Sequence, residues 1–271
     1  MKMLRKFQTE DMETEIKILA HRGGMARAPE NTIAAFRLAF EDGADAFECD
    51  VQLTKDQEPI VIHTDFDRDD IQAVTGCTSP LHELNWADVQ KLKVLDSDEP
   101  VAHLDDVLAF VRETGLMCFI EPKSRAKALI PLVVNRIRQF DLLNKVGILT
   151  FYSRKELLIR AKQIEPEIQT SAIIINPMAN FLKAAGSIKA NRIIIGWDGI
   201  NHFRLYNAVS RSLVRKVRQL KAKGIVVEGG YVRTRRDVEW LMRHEIGGLW
   251  TDDVPKIKGF VADNLRRAEH S

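Results

Sequence analysis

A chain of 271 residues has room for one large α/β domain or two ordinary ones. With 45% hydrophobic and 29% charged residues it can bury a sizeable core, which excludes a disordered chain. A formal net charge of +2 gives no support to bulk nucleic-acid binding, so no nucleic-acid partner is expected.

The chain opens on MKMLRKFQTEDMETEIK, which is charged throughout and lacks the apolar stretch of a signal peptide. No later apolar run approaches the ~18 residues of a membrane span. A cytoplasmic protein without integral membrane association is the expectation, and nothing in the pattern specifies an oligomeric state. Cys49, Cys77 and Cys118 form neither a C-x-x-C pair nor a zinc spacing, which fits free thiols in a reducing compartment.

From there short β-branched runs alternate with amphipathic stretches. Strands are predicted over 16–20, 46–53, 116–120, 146–151, 169–175, 192–195, 224–227 and 248–250. Helical patterns cover 32–41, 126–140, 154–164, 205–223 and 234–243. Eight strand–helix units in this length match a (β/α)8 TIM barrel in the α/β class. The C-terminal strand ends carry groups able to do chemistry: His21-Arg22, Asp50, Glu121 with Lys123, Tyr152-Ser153, Asn176, Trp197-Asp198, Glu228 and Thr251-Asp252. Active sites of such barrels sit at that face, whereas an open doubly wound sheet gathers polar ends at one switch point.

The alternation breaks after the second strand. Only Thr54-Lys55-Asp56-Gln57-Glu58 separates Leu53 from the strand-like Pro59-Ile60-Val61-Ile62. A parallel neighbour needs a long crossover, so this is a β-hairpin excursion, and a turn centred on Asp56-Gln57 sets Asp50 across from His63. Residues 65–102 carry Gly76, Pro80 and Pro100 and one short helical pattern over 86–92. They read as a small insertion packed over the barrel mouth, within a single catalytic domain of 1–271. Val74, Leu81, Leu84 and Trp86 would form its own small core or line a groove at the mouth.

Glu48 and Asp50 are two apart on one strand and share a face. Glu121 ends another strand and can point to the same mouth. Three converging carboxylates repel one another unless a cation relieves them, and all-oxygen ligation suits a hard ion. A salt-bridge set with Arg22 and Lys123 is the plainer alternative. His21 and His63, brought beside these acids, change protonation near neutral pH and suit proton transfer. Arg22 and Lys123 suit a phosphate, the first as a planar fork and the second as a mobile point charge. Asn31 reads as a helix N-cap, and Glu30 as a tie between its loop and Arg22.

These pieces resemble the glycerophosphodiester phosphodiesterase family. The matching segments are His21-Arg22-Gly23, Pro29-Glu30-Asn31-Thr32, Glu48-x-Asp50-Val51, Pro59-Ile60-Val61-Ile62-His63, Glu121-Pro122-Lys123 and Trp250-Thr251-Asp252-x-x-Pro255, in the family's order across most of the chain. The resemblance implies a (β/α)8 barrel, with Glu48, Asp50 and Glu121 holding a divalent cation, Mg²⁺ or Ca²⁺. It further implies His21 and His63 as the acid–base pair, Arg22 and Lys123 as phosphate partners, and a small-molecule phosphodiester as substrate, cleaved to glycerol 3-phosphate and an alcohol. Relatives that cleave lysophospholipids as a phospholipase D would, and a barrel that binds a phosphorylated ligand without turnover, are the alternative readings.

The match departs from the family in three segments. His63 is followed by Thr64-Asp65 where the family has aspartate directly, and Phe66-Asp67-Arg68-Asp69-Asp70 replaces its Leu-x-Arg-Thr-Thr run. Val227-Glu228-Gly229-Gly230-Tyr231 stands where a Trp-Thr-x-Asn run is usual. Glu228 is therefore expected at the mouth, contacting the alcohol or extending the metal site, and Trp197 is expected as a wall of the substrate pocket.

Overall fold

A computed structural model describes residues 16–197 and 200–269. In chain order its elements are β1 (Lys17–Ala20), α1 (Ile33–Glu41), β2 (Ala46–Leu53), β3 (Pro59–Val61), α2 (Gln72–Thr75), α3 (Trp86–Val89), β4 (Ala102–His103), α4 (Leu104–Thr114) and β5 (Met117–Pro122). They continue with α5 (Leu129–Gln139), β6 (Val146–Phe151), α6 (Lys155–Ile164), β7 (Gln169–Ile174), α7 (Phe181–Ile188), β8 (Arg192–Ile195), α8 (Asn201–Ser210), α9 (Leu213–Lys221), β9 (Val226–Gly229), α10 (Arg235–Arg243), β10 (Gly248–Thr251) and α11 (Val254–Glu269). Strands β1, β2 and β5 to β10 pair in parallel, and the β1–β2 pairing closes them into a barrel of eight.

Closure follows from the alternation of side chains along each strand. On β2, Phe47, Cys49 and Val51 pack outward with the helices, while Ala46 faces the interior with Leu19, Phe119, Leu149, Ile173, Ile194 and Trp250. The helices start where short polar side chains satisfy free amides. Thr32 accepts from Ala35, and Thr234 and Asp237 form a reciprocal capping box at α10. No helix among the described residues is long and apolar enough to cross a membrane.

The hairpin has a structural reason. β1 covers only Ala46 and Phe47 of the long β2, so the edge of β2 beyond them is taken by β3, which pairs Val51 with Val61 and Leu53 with Pro59. This register moves the expected partner of Asp50 by one residue: Ile62, not His63, donates its amide to the Asp50 carbonyl at 3.0 Å. The loop Thr54–Glu58 closes through a Thr54 amide to Glu58 carbonyl bond, with Gln57 left-handed, and so sets the pairing one step short. His63 then lies just past the end of the strand.

Three further expectations are adjusted. The helical pattern over 205–223 is two helices, because Arg211 turns left-handed at φ 48° and ends α8, and α9 restarts at Leu213. The strand expected over 224–227 runs Val226–Gly229, since Gly224 is still in the left-handed turn that ends the preceding helix. The helical pattern over 86–92 stops at Val89. Within 65–102, Ile71, Leu81 and Val89 are buried with Ile60 and Ile62, and Val74, Leu84 and Trp86 pack against them as a small core.

Candidate active site

The site grows out of two inward-facing strand positions. Glu48 and Asp50 sit two apart on β2, and Asp50 is the lateral partner of Glu121 on β5. One oxygen from each lies within 4.8 Å of the others, and the three residues are 0%, 0% and 3% exposed. Glu48 Oε1 is buried without a hydrogen-bond donor, and Asp50 Oδ1, likewise without one, has only the ion pair with Lys123 at 3.4 Å. Leaving such oxygens dry and unsatisfied is costly, and an all-carboxylate set with spare lone pairs fits a hard divalent cation. The site can hold one.

Each remaining oxygen is aimed by a neighbour. Glu48 Oε2 accepts from the Arg22 backbone amide at 3.0 Å. Asp50 Oδ2 accepts from the Asn31 amide group at 2.9 Å, and Asn31 Oδ1 accepts the Asp50 backbone amide in return. Asn31 is thus the clamp of Asp50, with the backbone left-handed at φ 59°, while Thr32 caps α1; the N-cap reading of Asn31 is corrected. Glu121 Oε1 accepts from Arg154 at 3.2 Å and Oε2 from Lys123 at 3.4 Å.

The cations stand over the acids. Arg22 Nε is 3.2 Å from Asp50 Oδ2, and its Nη1 donates to Glu30 at 2.8 Å, the tie the sequence suggests. Lys123 Nζ is 3.4 Å from both Asp50 Oδ1 and Glu121 Oε2. Arg22 reaches this position because the turn after β1 is left-handed, with Arg22 at φ 50° and Gly23 at φ 84°. A Cβ on Gly23 would lie 2.7 Å from the Ala35 Cβ and 2.8 Å from the Phe36 ring, so only glycine lets the turn dock on α1.

Electrostatics separates the three acids. Burial, reinforced by Asp50 and Glu121, pushes Glu48 well above the usual carboxylate range. Burial also raises Glu121, against the pull of Lys123. For Asp50, burial is outweighed by Lys123, Arg22, His63 and the Asn31 hydrogen bond together, and it stays below its ordinary value. Lys123 is held above its ordinary value: burial opposes its charge, but Asp50, Glu121 and Glu48 outweigh it.

The two histidines flank this set. His21 is buried at the mouth, where Nδ1 meets Asp252 Oδ1 at 2.8 Å and Nε2 meets the Tyr231 hydroxyl and lies 3.9 Å from Glu48 Oε2. A carboxylate only accepts, so the proton sits on Nδ1 and Nε2 presents a lone pair. Burial lowers its pKa, with the Asp252 hydrogen bond pulling the other way. His63 is half-buried and faces Asp50, Arg22, Lys123 and Glu30; burial lowers its pKa against the pull of Asp50.

Trp197 is 5% exposed, with its ring edge-on to His21 at 5.4 Å and tilted against Tyr231 at 4.8 Å. It braces His21, and its remaining exposed edge lines the cavity beside Tyr231; Asp198 lies outside the described residues. Glu228 departs from expectation. Its carboxylate turns into the barrel, pairing with Arg192 and accepting from the Trp250 indole at 2.9 Å, level with Gly248 at the start of β10. Both oxygens are engaged, so it contributes neither an alcohol contact nor a metal ligand at the mouth. Thr64 is buried and accepts from Gln52, while Asp65 is exposed. Asp252, Tyr231 and Arg154 carry site contacts that strand-end position alone does not assign.

Three comparisons bear on this geometry. Residues 21–256 match the family model described as the glycerophosphoryl diester phosphodiesterase family. The chain is 25% identical over 256 residues to a glycerophosphodiester phosphodiesterase of Caldanaerobacter subterraneus, covering 90% of this chain and 97% of that one. It is 24% identical over 277 residues to human glycerophosphodiester phosphodiesterase 1, covering 92% and 82%. Among solved structures it is similar to an Oleispira antarctica phosphodiesterase in complex with the product sn-glycerol-3-phosphate, with a TM-score of 0.75, 20% identity and coverage of 91% and 96%.

Proposed function

Because this chain belongs to the glycerophosphoryl diester phosphodiesterase family, we propose that it hydrolyses glycerophosphodiesters to glycerol 3-phosphate and an alcohol at the Glu48–Asp50–Glu121 centre. Family membership makes it a phosphoric diester hydrolase, and the roles of single residues are read from the site. The observation that carries the reading is the convergence of three buried carboxylates, two with unsatisfied oxygens, beneath two histidines and two cations.

Glu48, Asp50 and Glu121 would hold Mg²⁺ or Ca²⁺. When bound, such an ion supplies charge neutralisation at the phosphoryl oxygens. Arg22 and Lys123 would bind the phosphoryl group, Arg22 as a guanidinium aimed by Glu30 and Asp50 and Lys123 as a buried charge. Asp252 holds His21 with Nε2 as the acceptor, so His21 takes the proton of the nucleophile once that group replaces the Tyr231 hydroxyl; the nucleophile is a water, or the neighbouring glycerol hydroxyl, in which case a water then opens the cyclic phosphate to glycerol 3-phosphate. His63, less buried, carries its positive charge at lower cost and returns a proton to the departing alcohol.

The test is turnover of glycerophosphocholine, glycerophosphoethanolamine and a lysophospholipid, each with Mg²⁺, Ca²⁺ or a chelator. Release of glycerol 3-phosphate from the first two is expected, and His21→Ala or His63→Ala lowers kcat by about 10²–10⁴ with the circular dichroism unchanged. No cleavage under any condition would leave a barrel that only binds a phosphorylated ligand, and a fully active His63→Ala would remove the acid. A second reading, cleavage of lysophospholipids, is favoured by one observation. A groove of about 700 Å³ runs from the loop after β7 past Gly196 to α8, and Ile175, Met178, Leu205 and Val209 in it are 51–86% exposed. Cleavage of the acylated substrate alone would select it.

A further inference from the structure

The other flank of α8 faces a different cavity. About 600 Å³ lies between the N-terminal ends of α8 and α10, walled by Trp197, Tyr231, Arg204, Arg233, Arg236 and Asp237 among others. It adjoins the reaction centre directly, because the Tyr231 hydroxyl sits on His21 Nε2 and Trp197 packs against both rings. A substrate whose phosphorus lies over the acidic triad, with one ester oxygen near His21, has this cavity beside it.

The charge of the cavity decides what fits. Its one carboxylate among the described residues is spent: Asp237 takes Arg204 at 2.7 Å and the Thr234 amide and hydroxyl at the start of α10. Arg204 is held further by the Arg236 carbonyl at 2.8 Å. Arg233 and Arg236 remain exposed at the rim. The Arg233 guanidinium stands 5.5 Å over the Tyr231 ring and 3.8 Å from Asp252, so it leans toward His21 rather than away. Trp197 and Tyr231 alone would equally suit a quaternary ammonium group. Arg233 shares Asp252 with His21, so beyond the arginines that Asp237 and Asp252 face, Arg236 adds an excess positive charge that repels such a cation and attracts an anion, which it and Arg233 can grip through paired N–H groups.

We propose that this cavity, through Arg233 and Arg236 beside Tyr231, takes an anionic group on one arm of the phosphodiester, so that the preferred substrates carry a second negative charge. The proposal rests on the hydrolase reading for its substrate and on the cavity alone for its selectivity. Three probes share a glycerophosphoryl half and differ in the other arm: glycerophosphoglycerol 3-phosphate is anionic there, glycerophosphoglycerol neutral and glycerophosphocholine cationic. The expected order of kcat/KM is anionic above neutral above cationic, with an anionic-to-neutral ratio of about tenfold at low salt that shrinks as salt is raised. In Arg236→Gln that ratio falls toward one, and in Arg233→Gln/Arg236→Gln it reaches one.

Calorimetric binding of the anionic and neutral probes to the wild-type and Arg236→Gln proteins reads the same subsite without turnover. Equal kcat/KM for the three probes, equal Kd for the anionic and neutral ones, or a ratio untouched by both variants overturns the proposal. Cleavage of none of the three overturns the hydrolase reading instead, and the Kd comparison still decides the subsite: tighter binding of the anionic probe, lost in Arg236→Gln, upholds it.

Discussion

Glu48 shows most directly how a single residue is held out of its preferred state for the sake of the site. Its folded pKa is raised by burial and by two neighbouring acids, so the metal-free fold is most stable at and below the ordinary glutamate range and loses that stability as pH rises through the raised value. Glu48→Gln removes the charge. In metal-free protein its Tm should exceed the wild type by roughly 2–6 °C at neutral pH, with the gap closing toward acid pH. The same variant should lose the rise in Tm that Mg²⁺ or Ca²⁺ gives the wild type. A Tm below wild type at neutral pH, or an undiminished response to the ions, contradicts this. The three acids were legible in the sequence because strand alternation places Glu48 and Asp50 on one face whatever the rest of the chain does. Asp252 was legible as a strand-end group, but its pairing with His21 and the Tyr231 contact were not, because these residues lie 231 and 210 positions from His21 and only the closed barrel fixes which of them meet.

At the scale of elements, the turn after β1 couples fold to site. Gly23 at φ 84° lets Arg22 point its amide at Glu48 and its side chain at Asp50, and lets the turn pack on α1. Gly23→Ala adds a methyl group into Ala35 and Phe36 and forces a left-handed alanine, at a combined cost of roughly 2–5 kcal/mol. A fall in Tm of at least about 4 °C with kcat reduced is expected by thermal melting and turnover, and an unchanged Tm would show that the turn tolerates a side chain. Element order was readable from periodicity, since buried strands and one-sided helices leave distinct patterns. Several boundaries and the hairpin register were not. The break between α8 and α9 rests on Arg211 in a left-handed conformation, with no glycine or proline to mark it. The hairpin register depends on how Thr54–Glu58 closes, and five polar residues allow more than one closure.

Across the described barrel, the interior is polar at the mouth and mostly apolar beneath, where the buried Glu228 pairs with the partly exposed Arg192. Glu228 with Arg192 and the Trp250 indole joins β8, β9 and β10 from the inside. That partnership is invisible to a reading of strand ends, where Glu228 passes for a mouth residue. Glu228→Ala leaves the Arg192 guanidinium and the Trp250 indole without their acceptor and should cost about 1–3 kcal/mol, seen in denaturant melts, rather than a change in KM at full stability. The barrel serves the chemistry by bringing β1, β2, β5 and β10 to one mouth, so that residues from both ends of the chain share one reaction volume. The most direct measurement of that claim strips the protein of metal and follows glycerol 3-phosphate release from glycerophosphoglycerol as Mg²⁺ or Ca²⁺ is added back. The account predicts no release without the ion, full release with it, and none in Asp50→Asn at any ion concentration. Undiminished release in chelator, or from Asp50→Asn, would contradict it.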